Sequence, residues 1–235
     1  MKLVILDKGT VLDTISPPYN DMVAIFRHYE CKPPTFDDYR DNFVANDSME
    51  LYWDRGIPPH VTARDLSRLR MEIHREEWAT VALQPGAKEL LNHCERLGFT
   101  IFLVTSGTYE STACSLQGPG ARKPVEDRAY SRPPRREDLL DILALAKEMF
   151  GDEGPREVWY IDDMASGVAA AKNVPLEGIY TIGFTGGSNS PKMFEEIPQG
   201  QAPDHVVNSF FDIPPILDAY VALRDPAMQK PWAIN

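Results

Sequence analysis

Short apolar runs alternate with amphipathic segments along most of this chain. Helical periodicity predicts helices over Ala87–Arg96, Glu137–Phe150 and Ser166–Asn173. Because the apolar runs between such segments are almost continuous, we expect strands that are covered on both faces, as in a parallel sheet. The pattern therefore predicts an α/β fold with a mostly parallel sheet. Its predicted strands are Leu3–Leu6, Thr100–Val104, Val158–Ile161, Tyr180–Ile182 and, more weakly patterned, His205–Val207.

Residues 15–83 have a different pattern, with no convincing strand. Proline pairs and an Asn-Asp-Ser stretch separate segments that are apolar at helical spacing. We predict a helical domain over 15–83, inserted into a core built from residues 1–14 and 84–235. The predicted helices of the insertion are Asp21–Tyr29, Phe36–Phe43, Met49–Arg55 and Ala63–Trp78.

Composition narrows the possible partners and the compartment. The net charge of −11 over 235 residues argues against general nucleic-acid binding, which requires a basic surface. No apolar run approaches the roughly 20 residues that cross a bilayer, so we expect no membrane partner. The three cysteines are widely spaced and form no CxxC pair, which favours a reducing, cytoplasmic location.

Polar residues follow three of the predicted strands at the point where each strand ends. Open parallel sheets bind ligands beyond the carboxyl ends of their strands, so these residues are the candidates for chemistry. Carboxylates and hydroxyls from three loops would meet at one edge. The segments are Asp7-Lys8-Gly9-Thr10, Thr105-Ser106-Gly107 and Asp162-Asp163.

In this order, the segments resemble the motifs of the haloacid dehalogenase-like (HAD) superfamily, and in particular its phosphoglycolate phosphatase-like members. Gln84-Pro85-Gly86 and the run from Gly183 to Gly187 add to the resemblance. The resemblance implies a Rossmann-like core with an inserted all-helical cap. It also implies a hydrolase, most simply a Mg²⁺-dependent phosphatase that acts on a small phosphorylated metabolite through an aspartyl-phosphate intermediate.

The resemblance also implies roles for individual residues. Asp7 would be the nucleophile and would bind Mg²⁺ together with Asp162 and Asp163, since Mg²⁺ prefers oxygen ligands. Thr105 would take part in catalysis by hydrogen-bonding the transferring phosphoryl group. The remaining substrate-binding candidates in these loops are Ser106, Gly107 and Thr10.

The first motif departs from the family pattern, in which two aspartates separated by one residue precede Gly-Thr. If the strand is aligned, Asp7 is the nucleophile and the second aspartate is missing. If Gly9-Thr10 is aligned instead, Leu6 and Lys8 occupy the acidic positions and no nucleophile remains. We favour the first alignment because the apolar strand then ends at Leu6.

Either alignment removes the family's general acid, which typically contributes about 10²–10⁴-fold in rate. Slow phosphatase activity is one consequence. A catalytically impaired binding or regulatory protein, or a dehalogenase- or phosphonatase-type variant, is the alternative.

Two cations compete for the position that anchors phosphate in the third motif. Lys123-Pro124 and Arg132-Pro133 both precede the predicted helix over 137–150. Arg132 is nearer to that helix, and arginine can bind phosphate through two parallel hydrogen bonds, whereas lysine acts as a point charge. Both residues remain candidates for the phosphate anchor. The sequence leaves the oligomeric state open between a monomer and a homodimer.

Overall fold

A computed structural model describes residues 2–12, 16–39, 49–78, 81–104, 139–140, 143–144, 147–148, 155–187 and 192–224. Within these residues the chain forms a five-stranded sheet in the order β2-β1-β3-β4-β5, and every pairing is parallel. The prediction of an α/β fold with a parallel sheet is confirmed. The strands are β1 (Lys2–Asp7), β2 (Phe99–Val104), β3 (Glu157–Asp162), β4 (Ile179–Phe184) and β5 (His205–Val207).

Helices precede, connect and follow these strands. Ala87–Arg96 forms as predicted, and the helix predicted at Ser166–Asn173 lies one residue earlier. In the segment predicted as Glu137–Phe150, the residues that are described are helical. The helices of the core are α1 (Lys8–Val11), α6 (Ala87–Arg96), α7 (Ala165–Lys172), α8 (Lys192–Glu195) and α9 (Ile213–Arg224).

The two faces of the sheet bury separate apolar clusters, because side chains alternate between the faces along each strand. On one face, Trp159 and Ile161 of β3 pack with residues of α6 and α9, among them Leu90 and Leu217. On the other face, Val158 and Tyr160 pack with Leu139 and with Ala171 of α7. All six residues of β3 are buried, which explains its continuous apolar pattern.

The described part of residues 15–83 contains four helices and has its own apolar cluster. Met22, Phe26, Tyr52 and Leu66 are buried there, and a bidentate ion pair joins Arg55 to Asp38. That these residues form a separate domain remains a prediction. The helices are α2 (Ser16–His28), α3 (Phe36–Asp38), α4 (Met49–Asp54) and α5 (Ala63–Trp78).

The chain enters and leaves this region at adjacent positions. Leu12 forms an antiparallel bridge with Leu83, and the backbone N–H of Gln84 donates to the carbonyl of Val11 at 2.9 Å.

Across the described residues, no helix combines the length and the apolar character that a membrane crossing needs.

Candidate active site

Three carboxylates meet at the carboxyl edge of the sheet. The strands β1 and β3 are neighbours in a register that pairs Leu6 with Ile161, so Asp7 and Asp162 end their strands at the same level. Asp7, Asp162 and Asp163 each offer an oxygen that lies within 4.8 Å of the oxygens offered by the other two. The structure thus brings together the three residues that the sequence predicts as metal ligands.

Asp7 is the residue at which β1 turns into α1. It caps the helix, and its Oδ2 accepts the backbone N–H groups of Gly9 at 2.5 Å and Thr10 at 3.3 Å. Such side-chain acceptors satisfy amides that a helix start leaves without an internal partner. The preceding residue, Leu6, is fully buried in the apolar cluster. Leu6 therefore belongs to the apolar core, and Asp7 is the residue at the end of β1 whose carboxylate lies with those of Asp162 and Asp163.

Asp162 is fully buried, and both of its carboxylate oxygens accept hydrogen bonds. The hydroxyl of Tyr160 donates to Oδ2 at 2.5 Å, and the backbone N–H of Met164 donates to Oδ1 at 2.8 Å. A carboxylate has about four lone-pair sites, so one that accepts hydrogen bonds can still bind a cation. These two donors fix its orientation.

Asp163 is held by Thr10, which is itself fully buried. The hydroxyl of Thr10 donates to Oδ1 of Asp163 at 3.3 Å and accepts the backbone N–H of the same residue at 3.1 Å. The loop after β1 is thereby joined to the loop after β3.

Burial strengthens the repulsion between these carboxylates. Burial, reinforced by the charges of Asp162 and Asp163, raises the pKa of Asp7 well above its usual range. Burial followed by the charge of Asp163 raises the pKa of Asp162 to about 7. A divalent cation would relieve this repulsion, and three carboxylate oxygens are a donor set suited to Mg²⁺. The residues present therefore fit the metal.

A sequence model of haloacid dehalogenase-like hydrolases matches residues 1–174. The chain belongs to this family. No curated protein matches it in sequence.

Solved structures share the fold of this HAD-like hydrolase at low sequence identity. A Thermotoga maritima protein provisionally assigned as a beta-phosphoglucomutase has a TM-score of 0.68 at 22% identity, covering 93% of this chain and 99% of that one. A provisionally assigned phosphoglycolate phosphatase from Lactobacillus delbrueckii has a TM-score of 0.63 at 18% identity, covering 92% and 98%. CbbY from Rhodobacter sphaeroides, in complex with phosphate, has a TM-score of 0.65 at 17% identity, covering 91% and 96%.

Lys8 distinguishes the first motif of this HAD-like hydrolase. Only 6% of the residue is exposed, although it carries an ammonium group. Burial lowers the pKa of Lys8, and the neighbouring charge of Asp7 acts in the opposite direction. A buried lysine therefore follows Asp7 directly and stands beside the carboxylate cluster.

Several predicted site residues lie outside the described residues. They are Thr105, Ser106, Gly107, Lys123 and Arg132, and their roles stay predictions.

Sequence reasoning missed two residues that shape the site of this HAD-like hydrolase. Tyr160 could have been found, because residues i and i+2 of a strand share a face and Tyr160 precedes Asp162 by two. Gly167 packs against Asp162 from α7 and has no local signal.

Proposed function

We propose that this HAD-like hydrolase is a Mg²⁺-dependent phosphatase that acts on a small phosphomonoester through an aspartyl-phosphate intermediate at Asp7. The observation that carries the proposal is the convergence of Asp7, Asp162 and Asp163 at the carboxyl edge of the sheet. Ligands bind at this edge in open α/β sheets.

The three carboxylates would hold Mg²⁺, which when bound offsets the charge of the phosphate and of the carboxylates. The raised pKa values of Asp7 and Asp162 support this assignment. In the absence of a cation, buried like charges at this spacing favour a shared proton over full ionisation.

Asp7 would supply the nucleophile. Both hydrogen bonds that its side chain accepts from described residues go to Oδ2, which leaves Oδ1 as the oxygen for attack. Oδ1 forms a bond to phosphorus while the bond from phosphorus to the substrate's ester oxygen breaks. A water molecule then attacks the phosphorus of the acyl phosphate, inorganic phosphate leaves and the Asp7 carboxylate is regenerated.

The leaving oxygen must take a proton, and the first motif lacks the second aspartate that would donate it. Solvent water is then the donor, and the rate depends strongly on how well the leaving group carries negative charge. We expect aryl phosphates to be hydrolysed faster than alkyl phosphates, with the alkyl rates about 10²–10⁴-fold below those of an enzyme that has the acid.

The proposal also includes the residues and partners that the sequence suggests. Lys123 or Arg132 would anchor the phosphate, and Thr105, Ser106 and Gly107 would contact it. Residues 15–83 would act as a cap that controls access. The partner would be a small phosphorylated metabolite, and the protein would be a monomer or a homodimer. Its location would be cytoplasmic, which is compatible with the free thiols of Cys31 and Cys94.

The test is phosphate release from a panel of aryl and alkyl phosphomonoesters, with Mg²⁺ or with EDTA. We expect Mg²⁺-dependent turnover in the wild-type protein and none in Asp7→Asn. Asp54→Asn, which removes an exposed carboxylate of α4, is the matched control and should behave as the wild type does. Turnover that survives Asp7→Asn or that is unaffected by EDTA would reject the proposal.

A catalytically impaired binding protein is the second candidate. The observation that favours it is the sequence Asp7-Lys8-Gly9-Thr10, in which a buried lysine follows Asp7 and the second aspartate is missing. Calorimetric binding of phosphate monoesters in the presence of Mg²⁺ without any release of phosphate would support this candidate. Asp7-dependent turnover would exclude it.

A further inference from the structure

Tyr160 lies on the same face of β3 as Asp162, because residues two apart along a strand point the same way. It is fully buried in the apolar cluster with Ile5 and Phe102. Its hydroxyl is directed at the end of the strand, where it donates to Oδ2 of Asp162 at 2.5 Å. A phenol in an apolar cluster thus extends one polar atom into the carboxylate site.

This hydroxyl acts as a donor. A phenol keeps its proton at neutral pH, because its ordinary pKa is about 10, so the hydroxyl of Tyr160 can donate to Asp162. A neutral phenol that is buried needs a hydrogen-bond acceptor, and Asp162 provides it. Hydrogen bonds of this kind, to an ionised acceptor, are about twice as strong as those between neutral groups.

Asp162 has little freedom to rotate away from Tyr160. The backbone N–H of Met164 holds Oδ1 at 2.8 Å. On the other side lies the first turn of α7, where a Cβ atom added at Gly167 would lie 1.9 Å from Oδ2 of Asp162 and 3.0 Å from the hydroxyl of Tyr160. The glycine leaves just enough room for the carboxylate and the phenol to meet.

We propose that Tyr160 is a positioning residue for cation binding, which holds the Asp162 carboxylate in the orientation that the metal requires. The inference rests on the proposed function, in which Asp162 is a Mg²⁺ ligand. Tyr160 would not touch the metal or the substrate. It acts through Asp162, as outer hydrogen-bond partners of metal ligands commonly do, and the loss of such partners typically reduces metal affinity by about 10–100-fold.

Calorimetric titration of the full chain with Mg²⁺ alone, at constant pH, tests the inference without reference to turnover. We expect Tyr160→Phe to bind Mg²⁺ about tenfold or more weakly than the wild type. Phenylalanine keeps the ring in the apolar cluster and removes only the hydroxyl. Unfolding in urea with EDTA, measured on the same samples, reports the loss of stability separately.

Tyr52→Phe is the matched control. Tyr52 is equally buried, and its hydroxyl also takes part in a 2.5 Å hydrogen bond, which it accepts from the guanidinium of Arg70 in α5. Tyr52 belongs to the separate apolar cluster of residues 15–83. Its Mg²⁺ affinity should equal that of the wild type within twofold. An equal loss of affinity in both variants would show a general effect of removing a buried hydroxyl and would overturn the inference.

Two further outcomes separate this inference from the proposed function. In the first, the wild type and Tyr160→Phe bind Mg²⁺ equally well and Asp162→Asn does not bind it. The metal centre then stands and the role of Tyr160 is rejected. If the wild type binds no Mg²⁺, or if Asp162→Asn binds it with wild-type affinity, the metal centre and the role of Tyr160 both fail.

Discussion

Thr10 and Asp163, which are 153 residues apart in the sequence, are joined by two hydrogen bonds through one hydroxyl. Oγ1 of Thr10 donates to Oδ1 of Asp163 at 3.3 Å and accepts the Asp163 backbone N–H at 3.1 Å. Both residues are buried. The pair therefore fixes the spacing between the loop that carries Asp7 and the loop that carries Asp163.

Thr10→Val should destabilise the protein. Valine has the shape of threonine but neither donates nor accepts, so a buried N–H and a buried carboxylate oxygen each lose a partner. Such a loss costs about 1–3 kcal/mol in the free energy of unfolding. Urea unfolding in EDTA measures this cost, and titration with Mg²⁺ should show weaker binding because Asp163 loses its anchor.

Thr10→Ser is the control for this pair, because it keeps the hydroxyl and removes only a methyl group. Its free energy of unfolding should lie between those of the wild type and Thr10→Val, with Mg²⁺ affinity close to that of the wild type. If Thr10→Ser loses as much Mg²⁺ affinity as Thr10→Val, the methyl contact and not the hydroxyl fixes the loops.

The sheet could be predicted because its strands are covered on both faces. Such strands appear as short continuous apolar runs, and all five runs coincide with observed strands; His205–Val207 has the predicted bounds. The carboxylates at its edge could be predicted from the same runs, since the topology of a parallel sheet places Asp7 and Asp162 at one end.

Proline pairs explain the helix starts that the sequence prediction missed. The helix predicted at Asp21–Tyr29 begins at Ser16, and α9 was not predicted. Pro17-Pro18 and Pro214-Pro215 occupy the first turns of these helices, where the missing N–H groups would have no internal partner in any case. In both helices the proline pair therefore lies at the start.

The order of the strands and the contacts between distant loops could not be predicted from local patterns. The bonds between Thr10 and Asp163 need the register of β1 against β3, which depends on packing across the whole sheet. The sequence suggested Thr10 for substrate binding, which stays a prediction, and gave no sign that its hydroxyl bonds Asp163 in the structure.

Lys8→Met should increase the affinity for Mg²⁺. The buried ammonium of Lys8 lies close enough to Asp7 for each to shift the pKa of the other. Its positive charge partly neutralises the cluster and repels a divalent cation. Removing one positive charge beside Asp7 should tighten Mg²⁺ binding by about tenfold, as measured by calorimetry.

Lys8→Arg keeps the charge and should leave Mg²⁺ affinity close to that of the wild type. The comparison separates charge from packing, because methionine and arginine both retain a long side chain. Weaker Mg²⁺ binding in Lys8→Met would mean that the ammonium helps to form the metal site and would contradict the prediction.

Gly167→Ala should destabilise the protein and weaken Mg²⁺ binding. In the interior of a helix, a change from glycine to alanine usually stabilises by up to about 1 kcal/mol. At position 167 the new Cβ would lie 1.9 Å from Oδ2 of Asp162, which is buried and has no room to retreat. Overpacking of this kind costs about 1–3 kcal/mol, measured as the change in the free energy of unfolding.

Gly200→Ala is the corresponding control. A Cβ at position 200 would meet no atom within 4 Å, so the substitution should leave stability and Mg²⁺ affinity unchanged. If Gly167→Ala proves as stable as the wild type and binds Mg²⁺ as well, the contact with Asp162 is not a constraint on the site.

Without metal, the stability of the protein should fall as the pH rises from about 4 to about 7, because of Asp162. Burial and the charge of Asp163 raise the pKa of Asp162 to about 7 in the folded protein, whereas an unfolded aspartate titrates at about 3.9. Between these values the folded protein holds a proton that the unfolded chain has released, so a rise in pH favours unfolding. The raised pKa of Asp7 acts in the same direction.

Asp162→Asn isolates this effect, because an amide does not ionise between pH 4 and pH 8. In EDTA, the variant should match the wild type near pH 4 and exceed its free energy of unfolding at pH 7.5 by on the order of a few kcal/mol. The exposed control Asp54→Asn should show the same dependence of the free energy of unfolding on pH as the wild type throughout. Saturating Mg²⁺ at pH 7.5 should stabilise the wild type and not Asp162→Asn, because a ligand stabilises only the state that binds it. Parallel curves for the wild type and Asp162→Asn in EDTA would mean that the buried carboxylates do not repel one another strongly enough to require a cation.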